Sequence, residues 1–251
     1  MIHDTLDRWF HEDAVTVLFQ PIIRTDASMA LHSVEALTRG PRGTQFEDAA
    51  VFFDYLRQTK QEIRADRRCV AAAIKAVAEH GGVKHVSINI HPTTLERDKQ
   101  FAGFLETILA KEKFEATRIT FEIIEESRYW SPQALGAAVR ELRSLGVTIA
   151  LDDVGVGRCG YRTILDVAPD ILKIDRYFVD GCAVDHRRRA VVDSVRRLAD
   201  DIGAVVIAEG VEREDDFSVI RGLGIPYAQG YLFSRPRPLA EVMTMKELTT
   251  S

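Results

Sequence analysis

The sequence predicts an α/β barrel of eight strands, the first two of which run antiparallel. Two observations carry this prediction. Short apolar runs alternate with segments of helical pattern along most of the chain, which is typical of successive βα units. A polar residue also stands near the end of most apolar runs, and in α/β barrels these strand ends carry the functional residues. The polar positions are Glu35, Asn89, Glu122, Asp152 with Asp153, Lys173 with Asp175, Glu209 and Gln229.

The antiparallel pair is predicted from a short link near the N-terminus. After an amphipathic helical segment at about residues 1–13, two β-branched runs occupy residues 15–23 and 30–37. The polar link between them, Thr25-Asp26-Ala27-Ser28, is long enough for a hairpin and too short for a parallel crossover. The first two strands should therefore be antiparallel, which an ordinary eightfold barrel does not show.

The rest of the chain supplies the other strands and the helices. A helical pattern over residues 46–80 ends at Gly81-Gly82, as expected for a helix C-terminus. Strands are predicted in HVSINI, RITFEII, VTIALDD, DILKID, AVVIAEG and IPYAQG. Helices are predicted at about 94–112, from Ser131-Pro132 onwards, and at about 161–167, 185–202 and 214–223. With the hairpin, this makes eight strands. We expect one domain over residues 1–251, with the barrel at about 14–240 and a tail at 241–251.

Composition limits the classes of function. The chain has 251 residues, 46% of them hydrophobic, and a formal charge of −5, which gives no electrostatic signature of duplex DNA or anionic membrane binding. Cys69, Cys159 and Cys182 lack C-x-x-C spacing, so we expect reduced thiols and no zinc knot. The N-terminus is too polar for a signal peptide, and no apolar run is of membrane-spanning length. We expect a soluble, cytoplasmic protein.

The predicted barrel mouth carries a donor set made almost entirely of oxygen ligands. Five carboxylates at one place would repel one another and take up protons unless cations neutralised them; they are Glu35, Glu122, Asp152, Asp153 and Glu209. Such donors suit Mg²⁺ or Mn²⁺, and the adjacent pair Asp152-Asp153 could serve two ions, a known arrangement for phosphodiester hydrolysis. Lys173 could hold or help deprotonate the attacking water, or simply balance charge. Arg39, four residues after Glu35, could hold a phosphate with its planar guanidinium.

These motifs resemble those of the EAL domain, the phosphodiesterase that hydrolyses cyclic di-GMP. The similarity runs from about Leu18 to Pro238 and keeps the family order. It covers FQPI (19–22), EALTR (35–39), SINIHP (87–92), FEIIEES (121–127), DDVGVG (152–157), LKID (172–175), AEGVE (208–212) and QGYLFSRP (229–236). The resemblance implies a modified TIM (β/α)8 barrel with an antiparallel first strand. It also implies a homodimer in bacterial second-messenger signalling that converts cyclic di-GMP to linear pGpG.

The resemblance further implies roles for individual residues. One metal ion would be bound by Glu35, Asn89, Glu122 and Asp152, and the second by Asp152, Asp153 and Glu209. Lys173 and Glu209 would align the nucleophilic water. Glu35 and Asp153 are also assigned as catalytic residues. Substrate contacts are assigned to Arg39, Gln229, Gln20, Asp175 and Glu212. Asp175 could instead orient Lys173 or contact a metal ion. Glu212 could instead fix the conformation of its loop. Glu125 would anchor the loop after the fifth strand.

That loop departs from the family pattern and keeps a second hypothesis open. It reads DDVGVGRCGY where the family usually reads like DDFGTGYSSL, and Ile124 replaces a threonine. In the family this loop couples dimer contacts to metal and substrate binding. The alternative is therefore a weak or inactive EAL-like receptor of cyclic di-GMP, or a protein-interaction module. A third hypothesis, an unrelated enolase-type metalloenzyme, shares the metal chemistry but explains neither EALTR nor QGYLFSRP.

Three remaining features have simpler interpretations. His91-Pro92, just past a strand, is more typical of a turn than of a metal ligand. The segment 185–201 predicts a solvated helix face, because its basic residues (187–189, 196 and 197) are interleaved with aspartates at 185, 193, 200 and 201. With no cyclase or sensor segment beside the motifs, we expect a stand-alone domain or a fragment of a longer chain.

Overall fold

Eight strands close into a barrel in sequence order. The computed structural model of the protein describes Leu6 and residues 8–10, 15–124, 131–156 and 161–245. The strands are β1 (Val17–Arg24), β2 (Leu31–Thr38), β3 (Val86–Ile90), β4 (Ile119–Ile123), β5 (Thr148–Val154), β6 (Ile171–Ile174), β7 (Val205–Ala208) and β8 (Tyr227–Ala228). Strand β1 is antiparallel to both β2 and β8, and the other neighbouring pairs are parallel. The predicted strand count and antiparallel first strand are confirmed.

Helices cover the outside of the barrel. They are α1 (Ala49–Gln58), α2 (Glu62–His80), α3 (Pro92–Arg97), α4 (Phe101–Glu112), α5 (Pro132–Ser144), α6 (Tyr161–Val167), α7 (Arg176–Val179), α8 (His186–Ile202), α9 (Glu214–Gly222) and α10 (Leu239–Met243). Several helices have an N-cap residue whose side chain accepts a hydrogen bond from a free backbone N–H of the first turn. Examples are Asp48 for α1, Ser131 for α5 and Asp185 for α8. The last helix, α10, extends past residue 241, where the C-terminal tail was predicted to start.

Two predicted helices are each interrupted. The pattern over 46–80 forms α1 and α2, which are separated where Lys60 adopts a left-handed φ of 58°. The pattern over 94–112 forms α3 and α4, and Asp98 between them accepts 2.6 and 2.7 Å hydrogen bonds from Arg67. Both breaks fall in polar runs, at residues 57–62 and 96–100, which the sequence analysis included in continuous helices.

The core has two parts. The larger part fills the barrel and the layer under the helices. The smaller part, here called the second core, consists of Leu6, Trp9, Phe10, Phe46, Phe52, Leu56, Ala65 and Cys69. Cys69 and Cys182 are buried free thiols, whereas Cys159 lies outside the described residues. Within the described part of the chain, no helix combines the length and apolar character that crossing a membrane requires.

Candidate active site

The carboxyl ends of the barrel strands bring the predicted polar residues into one cluster. Each strand delivers its side chain at the same edge, because the parallel strands run in one direction around the barrel. The ladder aligns Asn89 with Glu122, and Gln20 with Glu35. The mouth cluster, as we call it, consists of Gln20, Glu35, Asn89, Glu122, Asp152, Asp153, Lys173, Glu209 and Gln229.

Lys173 lies at the centre of the mouth cluster and is fully buried. Its Nζ is 2.6 Å from both Glu122 Oε2 and Glu209 Oε1. It is also 3.3 Å from Asp152 Oδ1 and 3.6 Å from Glu35 Oε2. One ammonium therefore faces four carboxylates, which leaves an excess of negative charge.

Amide side chains hold Glu35 in a fixed orientation. Asn89 Nδ2 donates to Glu35 Oε1 at 2.8 Å, and Gln229 Nε2 donates to Glu35 Oε2 at 2.6 Å. Gln229 Nε2 also donates to Gln20 Oε1 at 3.1 Å, while Gln20 Nε2 donates to the Ser234 carbonyl at 3.0 Å. Gln20 is 8% exposed and stands behind Glu35. The structure thus connects β1, β2, β3 and the segment after β8 through hydrogen bonds.

Burial and mutual repulsion make parts of the mouth cluster resist ionisation. Burial, with the charges of Glu35 and Asp152, raises the pKa of Glu122 to about 8. Burial and the Asp152 charge raise the pKa of Glu209 well above its usual range. Burial also opposes ionisation of Glu35, but Lys173 and the two amide donors outweigh it and lower the Glu35 pKa.

Lys173, in contrast, is held in its charged form. Burial alone would lower its pKa, but the surrounding carboxylates outweigh that effect and raise the Lys173 pKa well above its usual value. The lysine is therefore a permanent positive charge, and it is too little to neutralise the whole cluster.

Oxygen atoms without hydrogen-bond partners remain in the mouth cluster. Within the described part of the chain, four buried oxygens accept no hydrogen bond: Asn89 Oδ1, Glu122 Oε1, Gln229 Oε1 and Asp152 Oδ1, the last of which has only its 3.3 Å ionic contact with Lys173 Nζ. Buried acceptors are rarely left unpaired, and a hard divalent cation coordinates oxygens of this kind. Asp152, Asp153 and Glu209 can also each offer an oxygen within 4.8 Å of the others. The donor set therefore fits the divalent ions that the sequence predicted.

A backbone irregularity brings two adjacent aspartates to the mouth. Successive side chains of a regular strand face opposite sides. In β5 the register with β6 shifts between Leu151 and Val154, and Asp153 adopts a left-handed φ of 52°. Burial and the charges of Asp152 and Asp175 raise the pKa of Asp153 to about 7, because the three carboxylates are neighbours. A β-bulge at an active site is a common means of re-aiming a side chain.

A cavity of about 300 Å³ lies beside the mouth cluster and is walled largely by apolar groups. Arg39 lines it directly after β2, and Asn89 belongs to both the cavity wall and the cluster. The Arg39 guanidinium makes one long hydrogen bond, 3.4 Å to the Leu37 carbonyl, and forms no ion pair with any described residue. Its charge is therefore available to an anion entering the cavity.

The remaining predicted site residues lie at the periphery. Asp175 accepts from Tyr177 N at 2.8 Å as the N-cap of α7, and its charge reaches Asp153. Glu212 forms a 3.1 Å ion pair with Arg176. Glu125, together with Gly160 and most of the glycine-rich loop, lies outside the described residues.

One buried carboxylate beside the site escaped the sequence analysis. Asp66 of α2 accepts hydrogen bonds from His91, at 2.9 Å from its backbone N–H and 2.8 Å from its ring Nδ1–H. His91 thus belongs to a turn, as predicted, and not to the mouth cluster. The available signal was a charged residue on the apolar face of a helix, between Ala65 and Cys69.

Comparisons with known proteins identify relatives of this chain. A model of the EAL domain family matches residues 3–236. Cyclic di-GMP phosphodiesterase PdeB of Shewanella oneidensis is 30% identical over 240 residues, which are 91% of this chain and 27% of that protein. The chain spans about a fifth to a quarter of the length of the first curated relatives it matches.

Solved structures show the same fold. BlrP1 of Klebsiella pneumoniae, in a manganese and cyclic di-GMP complex, is 27% identical with a TM-score of 0.80, covering 89% of this chain and 56% of that one. A standalone EAL protein from Vibrio cholerae, bound to cyclic di-GMP, is 25% identical with a TM-score of 0.79. That match covers 89% of this chain and 92% of the other.

Proposed function

The chain belongs to the EAL domain family, and from this premise we propose that it is a metal-dependent phosphodiesterase that hydrolyses cyclic di-GMP to linear pGpG. The observation that carries the proposal is the set of buried, unpaired oxygens around Lys173. As the family resemblance implies, we also propose that the protein acts in the cytoplasm as a homodimer in second-messenger signalling.

We assign the oxygen donors to two cations. Glu35, Asn89, Glu122 and Asp152 would hold one, and Asp153 and Glu209 would hold the other together with Asp152. Bound there, Mg²⁺ or Mn²⁺ would supply an activated water and neutralise the charge that develops on the phosphate. The unpaired oxygens and the excess negative charge support this assignment.

The chain's own residues would orient the reactants. Lys173 and Glu209, 2.6 Å apart, would fix the position of the attacking water. Arg39 would hold a phosphate from the cavity side, which its freedom from ion pairs supports. Gln229 and Gln20 would keep Glu35 in place, while Asp175 and Glu212 would act at the substrate side through their contacts with Asp153 and Arg176.

The test is hydrolysis of cyclic di-GMP by the purified protein with Mg²⁺ or Mn²⁺, with chromatographic detection of pGpG. We expect activity that EDTA removes and added metal restores. Absence of metal-dependent product from folded, dimeric protein would reject the proposal. Calorimetry showing tight binding without turnover would instead favour the receptor hypothesis, which the DDVGVGRCG loop motivates.

Two alanine substitutions test the proposed ligands. We expect Glu35→Ala and Asp152→Ala each to lower turnover at least 100-fold, because even the outer-shell partners of metal ligands typically contribute about 10- to 100-fold. Their circular dichroism spectra should stay unchanged. Near-normal hydrolysis by either variant would remove that residue from the proposed set.

The two variants should differ in stability when metal is absent. Glu35→Ala leaves the Asn89 amide without its acceptor and the Gln229 amide with only its 3.1 Å bond to Gln20, so urea denaturation in EDTA should show a loss of stability. Asp152→Ala removes a charge that raises the pKa of Glu122, Asp153 and Glu209. Its metal-free stability should match that of the wild type or exceed it by up to about 1 kcal/mol.

A further inference from the structure

Asp66 is a buried carboxylate on α2 that accepts hydrogen bonds from the point where β3 ends and α3 begins. It is 2% exposed. Its two oxygens accept from the backbone N–H of His91 at 2.9 Å, from the ring Nδ1–H of His91 at 2.8 Å, and from Thr94 Oγ1 at 2.5 Å. His91 is the residue that joins β3 to α3, and Thr94 lies in the first turn of α3, so a single carboxylate ties both to α2.

The bound turn directly follows a residue of the mouth cluster. Asn89 precedes His91 by two residues, and β3 ends at Ile90 between them. His91 is the N-cap residue of α3, but its side chain makes no capping hydrogen bond. Asp66, from a different helix, instead accepts from the backbone and ring N–H groups of this N-cap residue and from the Thr94 hydroxyl, which fixes where β3 ends and α3 begins.

Asn89 needs that fixed position because only one of its two polar side-chain atoms has a partner in the protein. Its Nδ2 donates to Glu35 Oε1 at 2.8 Å, while its buried Oδ1 has no partner among the described residues. A small shift of the backbone at His91 would move both atoms and would disturb Glu35 as well. Metal ligands depend in this way on the groups that orient them.

We propose that Asp66 is a positioning residue for the cation site, holding the β3–α3 turn so that Asn89 Oδ1 is aimed at the ion. This inference rests on the proposed function, since it assumes that Asn89 is a ligand. Asp66 acts through His91 and Thr94 and makes no hydrogen bond to a member of the mouth cluster.

A second buried aspartate provides a matched control. Asp216 of α9 is 1% exposed and accepts from Gly181 N at 3.0 Å and from Ala183 N at 2.8 Å. The turn that it holds contains none of the proposed site residues. Asp66→Asn and Asp216→Asn therefore make the same chemical change at similar burial, and only the first adjoins a proposed ligand.

The experiment measures Mn²⁺ affinity by titration calorimetry on the full chain, independently of turnover. We expect Asp66→Asn to weaken Mn²⁺ binding about 10-fold or more, in the range typical of groups that orient metal ligands. Asp216→Asn should leave the affinity unchanged even though its unfolding midpoint falls. If Asp66→Asn does not fold, Thr94→Val removes one of the three donors and should weaken binding about twofold to threefold.

A double-mutant cycle tests the route through Asn89. In an Asn89→Ala background, Asp66→Asn should cause no further loss of Mn²⁺ affinity. An affinity equal to that of the wild type in Asp66→Asn, an equal loss in Asp216→Asn, or an additive loss in the double variant would overturn this inference alone. Absence of Mn²⁺ binding to the wild-type protein would overturn the proposed function with it.

Discussion

Lys173 determines the charge balance of the barrel mouth. It is the largest polar side chain among the fully buried residues, and its Nζ lies within 3.6 Å of four carboxylates. Removing one partner of a buried ionic group is costly because the remaining charge loses its compensation. In this site the uncompensated charge would belong to several carboxylates at once.

We predict that Lys173→Met destabilises the metal-free protein by about 3–5 kcal/mol, the usual cost of breaking a buried ion pair. Divalent cations bound by the same carboxylates should recover part of that loss, since they replace the missing positive charge. Urea denaturation in EDTA and in saturating Mn²⁺ measures both quantities.

Lys75→Met is the control for this experiment. Lys75 has a side chain that is 44% exposed and lies 4.0 Å from Glu79 on α2. An exposed pair of this kind contributes at most about 0.5 kcal/mol, with no dependence on Mn²⁺. Equal losses in the two variants would show that Lys173 does not compensate the cluster.

At the scale of elements, the N-terminal helical segment joins the second core to the cavity wall. Trp9 is 5% exposed, and its ring packs edge-on against Phe52 with centroids 4.7 Å apart. Its Nε1 donates to the Arg39 carbonyl at 3.3 Å. The sequence predicted an amphipathic helical segment at about residues 1–13, but not the surface that its apolar side covers.

We predict that Trp9→Ala costs about 3–5 kcal/mol in stability and, in the proposed hydrolysis of cyclic di-GMP, raises KM with little change in kcat. The physical reason is that Arg39 loses its support while the mouth cluster stays intact. Trp9→Phe keeps the ring contact and loses only the hydrogen bond, so its cost should be about 0.5–1.5 kcal/mol. Urea denaturation and steady-state kinetics measure the two effects, and a fall in kcat with unchanged KM would contradict this role.

The sequence predicted the ends of strands and helices where these are determined by residues close by in the chain. The four-residue link predicted the β1–β2 hairpin, and Ser131 with Pro132 predicted the start of α5. The break between α3 and α4 was not predictable, because it involves Asp98 with Arg67 from another helix. The bulge at Asp153 was also hidden, since two adjacent aspartates carry no sign of strand register.

The positions of the site residues were predictable, but their charge states were not. Glu35, Asn89, Glu122 and Asp152 converge because a closed barrel brings all its strand ends together. The high pKa of Glu122 depends on complete burial beside other carboxylates, which only the folded chain defines. Asp66 was missed for the same reason: its partners are 25 and 28 residues away.

At the scale of the whole molecule, the barrel closes through its shortest strand. β8 has two residues, and Tyr227 pairs with Arg24 of β1 across the closure. The ring of His32, at the start of β2, stacks on Tyr227 with centroids 3.8 Å apart, and His85 follows at 6.0 Å. Aromatic stacking therefore packs the end of the barrel opposite the mouth.

Burial and the nearby charges of His85, Arg24 and Lys84 lower the pKa of His32 to about 4 from an ordinary 6.5. Because the folded-state pKa is the lower one, the unfolded chain takes up this proton first as pH falls. The contribution of His32 to stability is therefore complete above pH 6.5 and is lost progressively between pH 6.5 and 4.

We predict that His32→Phe reduces the acid sensitivity of the fold, since phenylalanine keeps the stack on Tyr227 but cannot bind a proton. At pH 5.5 the linkage amounts to about 1.4 kcal/mol, which partial exposure of the ring lowers to about 1 kcal/mol. The free energy of unfolding, measured by urea denaturation at pH 7.5 and 5.5, should fall by that much less in the variant. The carboxylates of the mouth cluster are common to both proteins, so their titration cancels in the comparison.

His80→Gln, which removes an exposed histidine at the end of α2, should keep the wild-type pH dependence. Equal pH dependence in His32→Phe and the wild type would show that His32 is not held neutral at the closure.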